Sequence, residues 1–289
     1  MKSLEEWRRQ HYELEKSYAQ KILASPKGSA ERTELFRAGY AAIYNSAAQY
    51  QIVDDATDSH ALAEVVRGLV EDRGSVLDVG CGFGSLVTEL LQRGYDAHGV
   101  DISATVIEKA RLRLARLGHQ ADRVQCLDFL HAPGAYRDLD CVVATHVLEH
   151  IHPDETVDFL VRCQEAVRDG GLVFIVVPHR FTSPNDGSRW FLPLGARSAG
   201  IHLVDLSFTD LREAFLQAGF RYVWGFAISP RLQVRLGLNP KATPFAAAKA
   251  MWLERLFARR SLSWVFRLHR TLSQALVGIL FPAYIVGVK

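Results

Sequence analysis

The sequence predicts an α/β fold built on a doubly wound, mostly parallel sheet. Apolar, strand-like runs alternate with helical patterns along most of the chain, and this alternation favours a parallel sheet with helices on both faces. A glycine-rich turn, 80–84 (GCGFG), follows the first apolar run. In such a sheet the first turn from strand to helix lies at the carboxyl edge, where ligands bind.

Each element has its own local signal. Strands are predicted at 76–79, 96–103, 123–129, 140–147, 172–178, 221–229 and after Pro282. Helices are predicted within 1–50 and at 85–94, 104–118, 154–171 and 207–220. Glycines follow the last periodic residues of several helices, and Ser207 is the expected N-cap of the last one. A segment of about twenty-five residues precedes Ser207, far longer than the usual connection, which indicates a functional loop.

Composition sets broad limits on the class of protein. The chain has 289 residues, of which 48% are hydrophobic, and a formal net charge of +2. It can therefore bury a large core, and its near-neutral charge gives no reason to expect a nucleic-acid partner. The four cysteines include no C-x-x-C pair and predict buried thiols in a reducing compartment. The charged start of the chain lacks the apolar stretch of a signal peptide, so we expect a cytoplasmic protein.

The residues around the glycine turn distinguish between two ligand classes. Asp78 precedes the first glycine by two positions, where its carboxylate would repel a pyrophosphate and attract a cation. Ser85 occupies the third glycine position of the dinucleotide pattern. Asp101 ends the second strand and suits ribose hydroxyls, although it would also suit NAD. Asp128 and Phe129 end the third strand and suit an adenine. Together they favour S-adenosylmethionine, a cationic nucleoside.

Five motifs carry a family resemblance. VLDVGCGFG, GVDIS, CLDF, THVLEHI and DGGLVFIVVPH resemble, in that order, the class I S-adenosylmethionine-dependent methyltransferases over about 70–229. THVLEHI and GGLVFIVVPH are most similar to the branch that holds ubiquinone-biosynthesis O-methyltransferases and many glycan- or natural-product-modifying enzymes. The resemblance implies S-adenosyl-L-methionine as cofactor, S-adenosyl-L-homocysteine as product, and a seven-stranded Rossmann-like sheet. The implied cofactor residues are Asp78, Gly80, Cys81, Gly82, Gly84, Asp101, Ile102, Asp128, Phe129 and Thr145.

The resemblance also implies a domain organisation. The last two strands of the fold form an antiparallel pair, so the segment between them is an insertion. We expect an N-terminal helical cap at 1–60, the methyltransferase core at 61–229, a helical insertion at 230–281 and the terminal strand of the sheet at 282–289. Tyr40 and Tyr44 belong either to a lid over the cofactor or to the core of the cap.

Histidines are the candidate bases, because a hydroxyl acceptor must lose a proton at neutral pH. We predict His146, His179 and His202 as catalytic, and a structural role for His150. The spacing H-x-x-E-H also matches a zinc-protease pattern, but His146 ends a strand rather than lying on a helix. In the ubiquinone O-methyltransferases the corresponding positions include acids that help bind a divalent metal. Glu149 and His150 match them while His146 replaces an acid, so a metal is an alternative and no metal ligand is predicted.

The acceptor is inferred from the long loop. Its arginines, Asn185 and Trp190 suit a sugar face, so we expect O-methylation of a glycan or lipid-linked glycan hydroxyl. A quinone-like or other small aromatic hydroxyl is one alternative, and a catalytically silent cofactor-binding partner subunit is another.

The segment 249–280 interleaves cations with bulky apolar residues. A spanning helix is disfavoured because the uncharged run 271–288 is short and contains Pro282. A helical cap, a homodimer surface and peripheral contact with the inner membrane face remain as alternatives.

Overall fold

The computed structural model describes residues 3–48, 56–71, 73–226, 230–239, 242–257 and 284–289, which contain nine α-helices, eight strands and five short 3-10 helices. The strands are β1 (Ser75–Val79), β2 (Asp96–Asp101), β3 (Val124–Cys126), β4 (Leu139–Thr145), β5 (Val167–Val176), β6 (Tyr222–Phe226), β7 (Ala242–Thr243) and β8 (Tyr284–Val288). The helices are α1 (Leu4–Ala24), α2 (Ala30–Ala48), α3 (Ala56–Leu69), α4 (Ser85–Gln92), α5 (Ala104–Arg116), α6 (Thr156–Ala166), α7 (Phe208–Gln217), α8 (Pro230–Arg235) and α9 (Pro244–Phe257).

The strands form one sheet in the order β3-β2-β1-β4-β5-β8-β6-β7. Strands β1 to β5 are parallel, and β8 runs antiparallel between β5 and β6. The doubly wound, mostly parallel sheet predicted from the sequence is therefore confirmed, with all seven predicted strands. The two-residue β7, which pairs with β6 at the edge, adds an eighth.

Both faces of the sheet are buried by helices. In β1, Val76 packs into a cluster with α3, α4 and α5, whereas Leu77 packs into a cluster with α6 and α7. In β4, Val142 packs into the cluster with α6 and α7, and Val143 packs into the cluster with α3, α4 and α5. Strands covered on both faces read as continuous apolar runs, which is the pattern of the sequence.

Two predicted boundaries are wrong. The helix expected at 154–171 ends at Ala166, and the following residues begin β5. Gly170 has φ +75°, which an α-helix does not allow, and a Cβ on Gly171 would lie 3.0 Å from the backbone oxygen of Leu139. The strand expected at 123–129 ends at Cys126. Cys126 is also exposed, contrary to the prediction of buried thiols, because β3 is an edge strand.

The N-terminal helices pack against each other and against the carboxyl edge of the sheet. A capping box between Ser3 and Glu6 begins α1. The buried guanidinium of Arg32, on α2, lies 2.6 Å from Asp154 and 3.0 Å from Glu155, which ties α2 to the loop before α6. Ser207 caps α7 with a capping box, as predicted.

The described part of the insertion consists of α8, β7 and α9. Most of the segment 249–280 follows α9 and lies outside the described residues. Within the described ranges, no helix combines the length and the apolarity needed to cross a bilayer.

Candidate active site

A cavity of about 870 Å³, including its space open to solvent, lies at the carboxyl edge of the sheet. The ends of β1, β2 and β4 form its floor, and α2 covers it. Its lining is Phe36, Tyr40, Tyr44, Val79, Gly80, Val100, Asp101, Ile102, Leu127, Asp128, Phe129, Leu130, His131, His146, Val147, His150, Ile151 and Phe159.

The glycine turn adopts the backbone that its sequence requires. Gly80, Gly82 and Gly84 have φ angles of +74°, +53° and +71°, a region that residues with a Cβ rarely enter. A Cβ on Gly80 would also overlap the side chain of Val147. The backbone nitrogen of Gly82 donates to Oδ2 of Asp101 at 3.1 Å, which ties the turn to the end of β2.

Two carboxyl groups are buried beneath this turn. Burial, with the nearby charge of Asp101, raises the pKa of Asp78 to about 8. Oδ1 of Asp78 has no hydrogen-bond partner among the described residues. Burial also raises the pKa of Asp101, although its hydrogen bonds from the backbone nitrogens of Ser103 and Gly82 oppose this. A cation bound beside the pair would favour the charged forms of both carboxyl groups.

The segment after β3 contributes aromatic and polar side chains to the cavity. Phe129 is almost completely buried, and its ring makes an edge contact with Phe159 at 6.0 Å between centroids. Oδ2 of Asp128 accepts a hydrogen bond from the hydroxyl of Thr33 at 3.1 Å and lies 2.9 Å from Nδ1 of His131. Asp128 and His131 both line the cavity.

The ten predicted cofactor residues divide into two groups. Gly80, Asp101, Ile102, Asp128 and Phe129 line the cavity. Asp78, Cys81, Gly82, Gly84 and Thr145 do not line it, although all five belong to β1, β4 or the glycine turn. Cys81 is buried in the core, which raises its pKa well above the usual range, and Gly84 packs against Ala110 and Leu114 of α5.

His146 is the predicted base that the structure places in the cavity. It follows β4 with φ +58°, and its side chain is 50% exposed. Its Nδ1 lies 3.2 Å from Oε1 of Glu149. Since a carboxylate can only accept, Nδ1 carries the proton and Nε2 has the free lone pair.

His150, expected to be structural, also lines the cavity. Its Nδ1 lies 3.2 Å from the backbone oxygen of Ile201, and burial lowers its pKa to about 4. The ring of His202 lies 4.7 Å away, edge to face, so His202 is close to the cavity without lining it. One ligand atom each from Glu149, His150 and His202 lie within 4.8 Å of one another.

Glu149 is charged in spite of its burial. Burial favours the neutral acid, but the hydrogen bond from His146 and the neighbouring imidazoles outweigh it and lower the pKa of Glu149. Its Oε2 has no hydrogen-bond partner in the described part of the chain.

His179 lies elsewhere and uses both ring nitrogens. Nε2 is 2.7 Å from Oε1 of Glu254, on α9, and Nδ1 accepts from the backbone nitrogen of Phe181 at 3.2 Å. It does not line the cavity. The long-range partner Glu254 explains why a histidine just after β5 is turned away from the cleft.

The aromatic cover comes from one face of α2. Phe36, Tyr40 and Tyr44 follow each other at intervals of four residues, which places them on the same face of a helix. The rings of Tyr40 and His150 meet at 5.6 Å, and those of Tyr44 and Phe83 at 5.8 Å. Phe36 was not among the residues predicted from the sequence, unlike Tyr40 and Tyr44, although the same spacing of four residues could have identified it.

The middle of the long loop packs on α1, whereas its end, at Ile201 and His202, contacts His150 of the cavity. The ring of Trp190 lies 5.4 Å from that of Trp7 and 5.9 Å from that of His11. The amide of Asn185 donates to the hydroxyl of Thr182. Neither of these predicted sugar-facing residues lines the cavity.

Comparisons with known proteins agree with this geometry. Residues 76–171 match the family described as "Methyltransferase domain". The chain is similar to the ubiquinone biosynthesis O-methyltransferase of Azoarcus sp. (strain BH72), with 30% identity over 46% of this chain and 66% of that protein. It is also similar to the protein of that name from Klebsiella pneumoniae, with 28% identity over 60% of this chain and 69% of that protein. The matches span about two thirds of these relatives.

Two solved structures share the fold. One is a SAM-dependent methyltransferase from Archaeoglobus fulgidus, with a TM-score of 0.50 and 17% identity over 81% of this chain and 95% of that chain. The other is a putative O-methyltransferase from Nostoc punctiforme PCC 73102, with a TM-score of 0.50 and 19% identity over 76% of this chain and 64% of that chain.

Proposed function

The chain belongs to the class I S-adenosylmethionine-dependent methyltransferases, and on that premise we propose that it methylates a hydroxyl of a small, largely apolar aromatic acceptor. The observation that carries the proposal is His146, a half-exposed imidazole that lines the cavity and whose Nδ1 lies 3.2 Å from Oε1 of Glu149. The glycan acceptor expected from the long loop stays a prediction. Two of the residues on which it was based contact other parts of the protein: Asn185 donates a hydrogen bond to Thr182, and Trp190 packs against Trp7.

The chain offers matching groups for each part of the cofactor. Asp78, with its unpartnered oxygen, suits the cationic end. Asp101 suits the ribose hydroxyls, and Asp128 with Phe129 suits the adenine. When bound, S-adenosylmethionine supplies an electrophilic methyl group, so the residues of the chain need to align the acceptor and exclude water.

Much of the cavity lining is apolar. Leu130, Val147 and Ile151 combine there with the aromatic rings of α2. Such a surface recognises an aromatic ring by shape and burial, whereas a sugar would need several polar partners. This contrast favours an aromatic hydroxyl over a glycan.

His146 is the best placed base. Glu149 holds its Nδ1–H, so Nε2 can take the proton from the acceptor hydroxyl. His150 is a much weaker base because its pKa is about 4.

The test compares His146→Gln with His98→Gln, a control on β2 outside the cavity lining. We expect turnover on catechol-type phenols to fall about 10²–10⁴-fold in His146→Gln. The Kd for S-adenosylmethionine should remain as in the wild type, measured by calorimetry. A wild-type rate in His146→Gln would refute its role as the base. Methylation of sugars but of no phenol would refute the acceptor class, and cofactor binding without turnover on either would favour the silent subunit.

A metal-assisted version is the second candidate. Glu149, His150 and His202 bring together a carboxylate and two imidazoles, a donor set that suits a divalent transition metal. If this cluster binds metal, zinc or manganese should bind the wild type and bind His202→Ala more weakly. EDTA should then abolish turnover, and the divalent ion should restore it.

A further inference from the structure

We propose that the exposed face of α9, formed by Lys249, Trp252 and Arg255, docks on an anionic phospholipid surface. This surface is separate from the cavity, and its binding to lipid does not depend on which hydroxyl is methylated.

The inner face of α9 is fixed to the body of the protein. Ala247 is buried in the core cluster, and Met251 packs against that cluster. Glu254 is buried and accepts from the backbone nitrogens of Phe208 and Thr209 at the start of α7. These three inward positions recur at intervals of four and three residues, so the opposite face of α9 must point outward.

The outward face alternates cation, indole and cation. Lys249, Trp252 and Arg255 follow each other at intervals of three residues and are all exposed. Trp252 has 60% of its surface exposed, among the highest values for large apolar side chains in the described residues. An indole between two cations is typical of helices that lie in a membrane interface, where the ring enters the headgroup region and the cations meet phosphates.

The cations of the chain are concentrated, in the sequence, from α9 onward. Residues 249–289 carry seven Lys and Arg against one acid, Glu254, whereas residues 1–248 have a net charge of −4. The cations that follow α9 in the sequence are interleaved with Phe257, Trp264 and Leu268, which lie at its end or outside the described residues. An anionic and deformable surface complements both the positive charge and the apolar side chains of this segment. A second copy of the chain would set like charges against each other.

The position of α9 relates this surface to the cavity. Glu254, in the last turn of α9, bonds His179, which follows the carboxyl end of β5. The cavity opens at the same edge of the sheet. If the proposed acceptor class is correct, docking through α9 would bring an apolar acceptor in the bilayer close to the edge at which it enters.

The test is flotation of the full chain with vesicles of phosphatidylcholine alone and with 30% phosphatidylglycerol. We expect binding to the anionic vesicles only, and its loss in high salt. Lys249→Gln/Arg255→Gln should lower the partition coefficient about fivefold per charge removed. Trp252→Ala should lower it further.

The matched control is Leu112→Ala/Arg116→Gln, which removes one exposed apolar side chain and one exposed arginine from α5. It should bind as the wild type does. Unchanged S-adenosylmethionine affinity verifies that each variant is folded. Failure of the wild type to float with anionic vesicles overturns the inference, as does equal binding to neutral vesicles or full binding by Lys249→Gln/Arg255→Gln. Flotation needs no methyl transfer, so these outcomes leave the proposed function to its own test.

Discussion

Binding of S-adenosylmethionine should release a proton from Asp78. Its carboxyl group has a pKa of about 8 without a ligand, so at pH 6.5 only roughly 3% of the molecules carry the charge. A cation placed against this group favours the carboxylate and lowers its pKa. Binding at pH 6.5 should therefore release about one proton, and the apparent Kd should fall close to tenfold for each pH unit gained.

Calorimetry at pH 5.5–7 measures this linkage. In this range an α-amino group with a pKa of roughly 7.7–8.0 stays charged, so the ligand adds little to the proton balance. Titrations in buffers of different ionisation enthalpy give the number of protons released. Asp78→Asn should bind more weakly and release none, whereas Asp122→Asn, an exposed site away from the cavity, should behave as the wild type.

The same proton count in Asp78→Asn and in the wild type would refute the assignment of the cationic end to Asp78. So would a Kd of the wild type that does not change between pH 5.5 and 7.

Two further predictions concern stability. Gly80→Ala should lower the free energy of unfolding by about 1–2 kcal/mol for its left-handed backbone and by roughly 1–3 kcal/mol more for the overlap with Val147. The control is Gly28→Ala, because Gly28 has φ +65° and no atom near the position of an added Cβ. Chemical denaturation should show only the backbone cost in Gly28→Ala, and equal losses of stability in Gly28→Ala and Gly80→Ala would contradict the overlap with Val147. Glu254→Gln should cost about 1.5–3 kcal/mol at pH 7. Burial opposes the charge of Glu254, but bonds from His179 and Thr209 lower its pKa below the usual 4.5, so its contribution is present at neutral pH and is lost as the pH falls through that lowered value. Melting curves of wild type and variant should converge in acid, and a constant difference down to pH 3 would show that the carboxylate charge is not the cause.

The sequence predicts the sheet well because its signals are local. The apolar run before Gly80 and the acid at Asp101 each mark the end of a strand, and parallel strands bring those ends together. Local signals mispredict the boundary of an element where a contact with a distant residue determines it. Val167 continues a helical pattern, yet it pairs with Leu139 of β4 and so begins β5.

The residues of the candidate site also divide into those that local signals place and those that distant contacts place. Residues that follow strand ends by one or two positions, such as Asp128 and His146, reach the cavity, as their positions suggested. His179 follows a strand end as well, but Glu254, seventy-five residues later, holds it in the core. Phe36 enters the cavity because Arg32 anchors α2 over the sheet, and its partners Asp154 and Glu155 are more than 120 positions away. Contacts over such separations leave no trace in a local pattern.

The position of β8 has a consequence for the order of folding. It follows every other described element in the chain, yet it lies between β5 and β6, which have no ladder with each other. During synthesis from the N-terminus, two apolar strands therefore keep an unpaired edge until residues 284–289 emerge. Such edges are templates for pairing with other chains. Aggregation of nascent or truncated forms is therefore the hazard that this topology carries, and residues 284–289 remove it by joining the two parts of the sheet.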